Sequence, residues 1–301
     1  MTCELCQKEK TIKNSHIIPK FFFDWLKETS VTGKLRISVT PQKREQDGPK
    51  APLLCNKCEK IFSVWENSFS KNTFKPYVND ILDSSGNIQS DKNFLYDEKL
   101  LKFVISVQFR VLLTRNRKEQ LSDKHEETIA KTIEQWRDYL LSNSNLTGSN
   151  RSYIFFLTSV FALSTEEEYD PSQINWFIHR TFFKDVIFKE SRLGVLTKLG
   201  PIILYTSLIP NQAKGMGLQM IHKRGSIDIR NSGHIPDRAI DSYIFQTKYK
   251  VTTGIKYSKK QEAVIERDWL RKGANAKARK IFEQDLDIYM KQKEINKLED
   301  E

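Results

Sequence analysis

Leu54-Cys55-Asn56-Lys57-Cys58-Glu59 carries one of two Cys-x2-Cys pairs, and Cys3-Glu4-Leu5-Cys6 carries the other. Together they hold every cysteine of the chain. A Cys-x2-Cys turn brings two sulfurs to one metal while its backbone N–H groups hydrogen-bond the thiolates, and two such turns from separated parts of a chain close one tetrahedral zinc site. With all four positions filled by sulfur, a Zn2+ held by Cys3, Cys6, Cys55 and Cys58 has no open position and is expected to be structural. Disulfides are the rival use of these cysteines. The chain opens on Thr2-Cys3-Glu4 instead of a basic and then apolar leader, and has no uncharged apolar run of about 18 residues, so a cytoplasmic location with no membrane partner is expected. Reducing conditions there favour zinc over disulfides.

Outward from the second pair, Ile61, Phe62, Trp65 and Phe69 recur at three and four, which predicts a helix beginning at the knuckle. Upstream, Phe21, Phe22, Trp25 and Leu26 read as a helix, Leu35 to Val39 as a strand, and Pro41 to Pro52 as a polar loop. Residues 83 to 93 read as a linker. Between Phe94 and Lys118 apolar residues cover most of a helix, predicting burial on several sides. A second, amphipathic helix runs from about Asp123 to Leu141. Short apolar runs at Tyr153 to Leu163 and Pro201 to Ile209, and alternation at Ile227 to Arg230, predict strands, and 170 to 185 reads as helical. The expected architecture is α+β: a zinc module over 1–80, then a body over 94–301 that is helical over 94–142, strand-rich over 152–251 and helical in its tail, 258–297.

A formal net charge of +11 favours polyanionic partners, nucleic acid first among them. Arg36, Arg44, Lys57 and Lys60 lie within the cysteine module and are the candidate phosphate contacts. Phe109-Arg110 and Arg115-Asn116-Arg117-Lys118 lie toward the end of the core helix, where basic residues suit the helix dipole. Gly215-Met216-Gly217 lacks the rest of any nucleotide-binding motif.

Between the cysteine pairs stands Ser15-His16-Ile17-Ile18-Pro19. Together with Cys3-Glu4-Leu5-Cys6 and Leu54-Cys55-Asn56-Lys57-Cys58-Glu59, this stretch resembles the zinc-bearing form of the HNH family of ββα-metal nucleases, over about the first 75 residues. The resemblance implies a zinc-bound ββα-metal, treble-clef-like module. In it His16 would be the general base, and Glu59 would stand where the family carries a metal-binding His, as a carboxylate ligand suited to Mg2+ or Mn2+. Ser15 takes the place of the family's acidic ligand, and no Asn precedes Cys55 to orient the base. Asp47 and Glu66, about two helical turns past Glu59, are alternative carboxylates for such a site; the other reading makes Asp47, beside Gly48, a turn acid and Glu66 a residue facing water.

The activity implied is endonucleolytic hydrolysis of DNA, ahead of RNA, as in a phage-defence effector whose residues 94–301 would sense, dimerise or hold a protein partner. Two other readings stand beside it. A non-catalytic nucleic-acid-binding protein would keep the zinc fold and lose the metal site; an interaction subunit would use the zinc only as a staple. His16, between two isoleucines, would then be a satisfied, partly buried ring, and Glu59 an acidic residue favoured at a helix start.

Overall fold

The structure is a computed structural model. It describes residues 1–12, 14–30, 33–37, 40–81, 93–116, 121–145, 147–158, 174–189, 192–209, 216–230, 235–237, 240–244, 246–247, 258–260, and single positions at 263, 264, 267 and 283. The chain is a mixed α+β protein. Among the described residues no helix is long and apolar enough to cross a membrane.

The N-terminal part contains β1 (Ser15–His16), α1 (Lys20–Glu28), β2 (Leu35–Ile37), β3 (Thr40–Glu45), β4 (Lys50–Ala51) and α2 (Asn56–Phe69). β1 pairs antiparallel with β4, and β2 with β3. The polar stretch expected to be a loop thus holds two short strands. Each is fixed by its partner, Lys50 standing opposite His16 across a long stretch of chain and Arg44 opposite Arg36 in a hairpin, and these polar pairs leave no apolar alternation to read. α1 forms because Phe22, Phe23, Trp25 and Leu26 share a buried face, while Lys20, Asp24 and Lys27 pair on the outside.

Next come β5 (Phe94–Tyr96), α3 (Glu98–Leu113) and α4 (Asp123–Leu140). Asp97 caps α3 by accepting a hydrogen bond from the Lys99 amide, and Ser122 caps α4 by accepting from that of His125. α3 is buried on nearly every side, as its composition predicts. The helix expected from Phe94 begins later, because Phe94–Tyr96 pairs as a strand with β10 (Gly225–Ile227).

The remaining elements are β6 (Arg151–Phe156), α5 (Ile174–Arg180), β7 (Phe182–Lys189), β8 (Arg192–Leu199) and β9 (Ile202–Ser207). Four of these strands form an antiparallel sheet in the order β6-β9-β8-β7. Alternate residues serve two cores. Ile154, Phe156, Ile202 and Leu204 join the cluster that contains α3, while Tyr153, Phe155, Ile203 and Tyr205 pack against Phe177, Ile240 and Ile244 on the far face. Burial on both faces is why these strands read as continuous apolar runs. The α3 cluster also reaches Cys3, Leu5, Ile18, Phe62 and Trp65, so one apolar core backs both the sheet and the cysteine region. The tail expected to be helical over 258–297 lies outside the described residues except for a few positions, as does the linker at 83–93 except for Asn93.

Candidate metal centre and histidine site

The turn after Cys3 is closed by the Gln7 amide donating to the Cys3 carbonyl, with Gln7 in the left-handed region at φ 54°. The second turn is the start of α2, with Cys55 as its N-cap residue. Backbone bonds tie the two together: the Glu4 amide donates to Leu53 and the Ile12 amide to Leu54. Arg137 on α4 adds a third tie, its Nε donating to the Glu4 carbonyl at 3.0 Å.

The four sulfurs lie within 4.8 Å of one another, and all four cysteines are free thiols. Sulfurs on a tetrahedron around zinc at about 2.3 Å stand about 3.8 Å apart, and Cys6 Sγ is 3.8 Å from Cys55 Sγ. The donor set and its spacing fit a tetrahedral metal ion such as zinc. Electrostatics point the same way. Burial and the neighbouring thiols push Cys58 up, and burial raises Cys55. For Cys6 burial also acts upward, but hydrogen bonds from the Lys8 and Glu9 amides and from the Cys3 and Cys58 thiols outweigh it and bring the group down to about 7. A cation at the centre would relieve the repulsion among the four thiolates.

His16 sits on β1, one residue from Ser15. Ser15 is buried and its hydroxyl accepts a hydrogen bond from the Leu54 amide at 3.0 Å, latching β1 to the second knuckle. Its oxygen serves the fold. The His16 ring is half-buried, with Nε2 2.8 Å from Asp47 Oδ2. Burial raises the Asp47 carboxyl, but hydrogen bonds from His16, the Gly48 amide and Lys50 prevail and bring it to about 2. An ionised carboxylate only accepts, so Nε2 donates to Asp47, and in a neutral ring the lone pair would stand on Nδ1. The tautomer is thereby set.

Glu59 lies in the first turn of α2, its amide bonded to the Cys55 carbonyl at 3.0 Å. Its Oε1 is shielded from solvent and has no hydrogen-bond partner among the described residues. Glu66, two turns further along α2, lies 2.8 Å from Arg110 Nη2. Arg110 in turn donates from Nη1 to the His16 carbonyl at 2.8 Å, and its guanidinium lies 5.3 Å from the centre of the Phe62 ring. One buried guanidinium therefore stands between the strand that carries His16 and the face of α2 that carries Phe62 and Glu66.

Among the candidate phosphate contacts, Lys57 and Lys60 lie on the exposed side of α2, and Lys57 pairs with Glu9 at 2.5 Å. Arg36 and Arg44 are placed by backbone alone, opposite each other in the β2–β3 hairpin; their side chains lie outside the description.

Two residues of this site carry more than the sequence reading gave them. Asp47 reads as a turn acid beside Gly48. Arg110 reads as a helix-end cation, yet it is 1% exposed. The available signal was its context, since an arginine between Phe109 and Val111 in a helix apolar all round must carry its charge into the interior, where it needs partners.

No family model matches this chain, and no curated protein or solved structure matches it.

Proposed function

We propose that the protein is a metal-dependent endonuclease of HNH type that hydrolyses phosphodiester bonds in DNA. The His16–Asp47 pair carries this reading. Asp47 supplies the acceptor behind the ring that the missing Asn would have supplied, and leaves Nδ1 as a base of fixed orientation. His16 would take a proton from water as the water oxygen attacks phosphorus and the bond from phosphorus to the departing sugar oxygen breaks. Asp47 would then stabilise the imidazolium.

Glu59 is the residue that would hold a divalent ion. Its unpartnered oxygen suits Mg2+ or Mn2+, which commonly bind one or two carboxylates and complete their shell with water and substrate phosphate. Such an ion would supply positive charge to the phosphate and the leaving oxygen. The excess of basic residues suits a polyanionic substrate. In this reading the cysteine cluster holds structural zinc. One observation favours the rival, a zinc-stabilised nucleic-acid-binding protein without catalysis: Ser15 is engaged by the Leu54 amide and leaves Glu59 without a second ligand from β1.

Purified protein incubated with supercoiled plasmid and with a structured RNA, in Mg2+, Mn2+ or Ni2+, separates the two. We expect plasmid cutting that falls at least about 100-fold in His16→Ala and in Glu59→Ala, with one zinc retained per chain. A salt-sensitive gel shift without cutting in any ion would establish the binding protein instead. Equal cutting by parent and His16→Ala would remove His16 as the base.

A further inference from the structure

β1 is only two residues long, and few bonds hold it. Ser15 is fixed by Leu54, the Ile17 amide donates to Pro49, and β4 pairs alongside. A further restraint on His16, beyond the Asp47 contact of its ring, comes from far along the chain. Arg110 of α3 donates Nη1 to the His16 carbonyl, Nε to Ser106 at 3.1 Å, and sets Nη2 against Glu66. α3 is itself anchored from its other side. Gln108 donates from Nε2 to the Val195 and Leu204 carbonyls of β8 and β9, at 3.2 and 3.1 Å, and its Oε1 accepts from the Thr197 hydroxyl at 2.8 Å.

We infer that Arg110 is a positioning residue for the histidine site: it fixes the backbone of His16 so that the ring stays against Asp47, and thereby makes α3 a working part of the site. This rests on the reading of His16 as the base. The geometry sets it apart from an ordinary buried ion pair. A guanidinium that only neutralised Glu66 would not need a second N–H on the carbonyl of the histidine. Arginine's planar guanidinium donates from Nη1 to the His16 carbonyl while Nη2 stays ion-paired with Glu66, whereas the compact, more strongly hydrated ammonium of a lysine on a flexible stem does not hold that fixed spread.

The test uses the full-length, zinc-loaded protein in three forms: the parent, Arg110→Lys, and the double variant Arg110→Met/Glu66→Met. The double variant removes both charges together, so no unpaired carboxylate is left to unfold the chain. Two readouts are taken, the pH titration of the His16 ring by NMR and the steady-state kinetics of plasmid cutting. In both variants we expect the His16 titration midpoint and ring shifts to depart from the parent's. We also expect kcat to fall about 100-fold, as for a base displaced by about 1 Å, with KM changed by less than about two-fold.

Variants that fold, keep one zinc per chain and show the parent's His16 titration and kcat would overturn the inference and leave Arg110 as a structural pair. Should the double variant not fold, Arg110→Lys decides. If the parent cuts no substrate, the nuclease reading fails by itself, and the His16 titration alone decides whether Arg110 positions the ring.

Discussion

Lys198 on β8 and Glu59 on α2 both hold polar side-chain atoms away from solvent, and the fold treats them in opposite ways. Around Lys198 Nζ stand the carbonyls of Phe177, Ile178, Thr181 and Gly200 and the Thr181 hydroxyl, at 2.6 to 3.2 Å. Phe177 and Ile178 belong to the last turn of α5, whose carbonyls have no partner within the helix, so the ammonium acts as its C-terminal cap. The nitrogen and its partners close on themselves. Glu59 Oε1, by contrast, is shielded and unpartnered among the described residues, at the mouth of the helix that also carries two of the four thiols. A saturated buried polar group belongs to the architecture, whereas a shielded carboxylate oxygen without a partner among the described residues leaves room for one.

The largest test of this contrast is metal withdrawal. A structural zinc contributes a binding free energy on the order of 10 kcal/mol to the folded state, comparable with the whole stability of a domain. A strong chelator is therefore expected to bring the amides of residues 3–12 and 53–59 to the exchange rates of unfolded chain, while those of β8 and β9 keep their protection. Hydrogen exchange with mass spectrometry reads both regions at once. Unchanged protection in residues 3–12 would mean that the four thiols hold no structural metal.

How much of this contrast the sequence displays depends on the range of the interactions behind each part. The cysteine turns are local motifs, and their spacing alone pointed to one cluster of four. The faces of α1 and α2 and the all-round burial of α3 are likewise local periodicities. The strands at Thr40–Glu45 and Lys50–Ala51 have no such pattern, since hairpin and β1 pairing fix them. The site residues divide in the same way. His16 and Glu59 stand out through their neighbours in the chain, whereas Asp47 and Arg110 gain their roles from contacts 31 and 94 residues away. Lys198 is the extreme case: nothing near Thr197-Lys198-Leu199 announces an ammonium buried under the end of α5.

The second test takes that lysine. Lys198→Met keeps the apolar stem and removes the donor: the Phe177 carbonyl keeps the Thr181 hydroxyl and the Thr181 carbonyl keeps the Gly200 amide, while the Ile178 and Gly200 carbonyls lose their bonds to the ammonium in the interior. A loss of about 3 kcal/mol is expected in urea unfolding, because each buried acceptor left unsatisfied costs about 1–3 kcal/mol. On the proposed nuclease reading, plasmid cutting per folded molecule should not change, since among the described residues Lys198 touches no part of the histidine site. A loss of cutting at full stability would mean that the far side of the sheet belongs to the chemistry.

Glu59→Gln is the smallest and the most discriminating change, because its sign should be opposite. Its acidic side chain in the first turn of α2 gains about 0.3–1 kcal/mol from the helix dipole, while the shielded oxygen without a partner costs about 1–3 kcal/mol. The amide leaves an unpartnered atom in the same place but an uncharged one, which is cheaper to desolvate than a carboxylate, so Glu59→Gln should stabilise the protein by about 1 kcal/mol in the absence of divalent ions, as thermal or urea melts can measure. Added Mn2+ or Mg2+ should raise the melting temperature of the parent and leave the variant unmoved, since the ion stabilises only the form that binds it. A variant less stable than the parent without metal would show that Glu59 is an ordinary helix-start carboxylate. A more stable variant that no longer cuts would show that the protein retains this carboxylate at the expense of its own stability, which is expected of a group selected for what it binds.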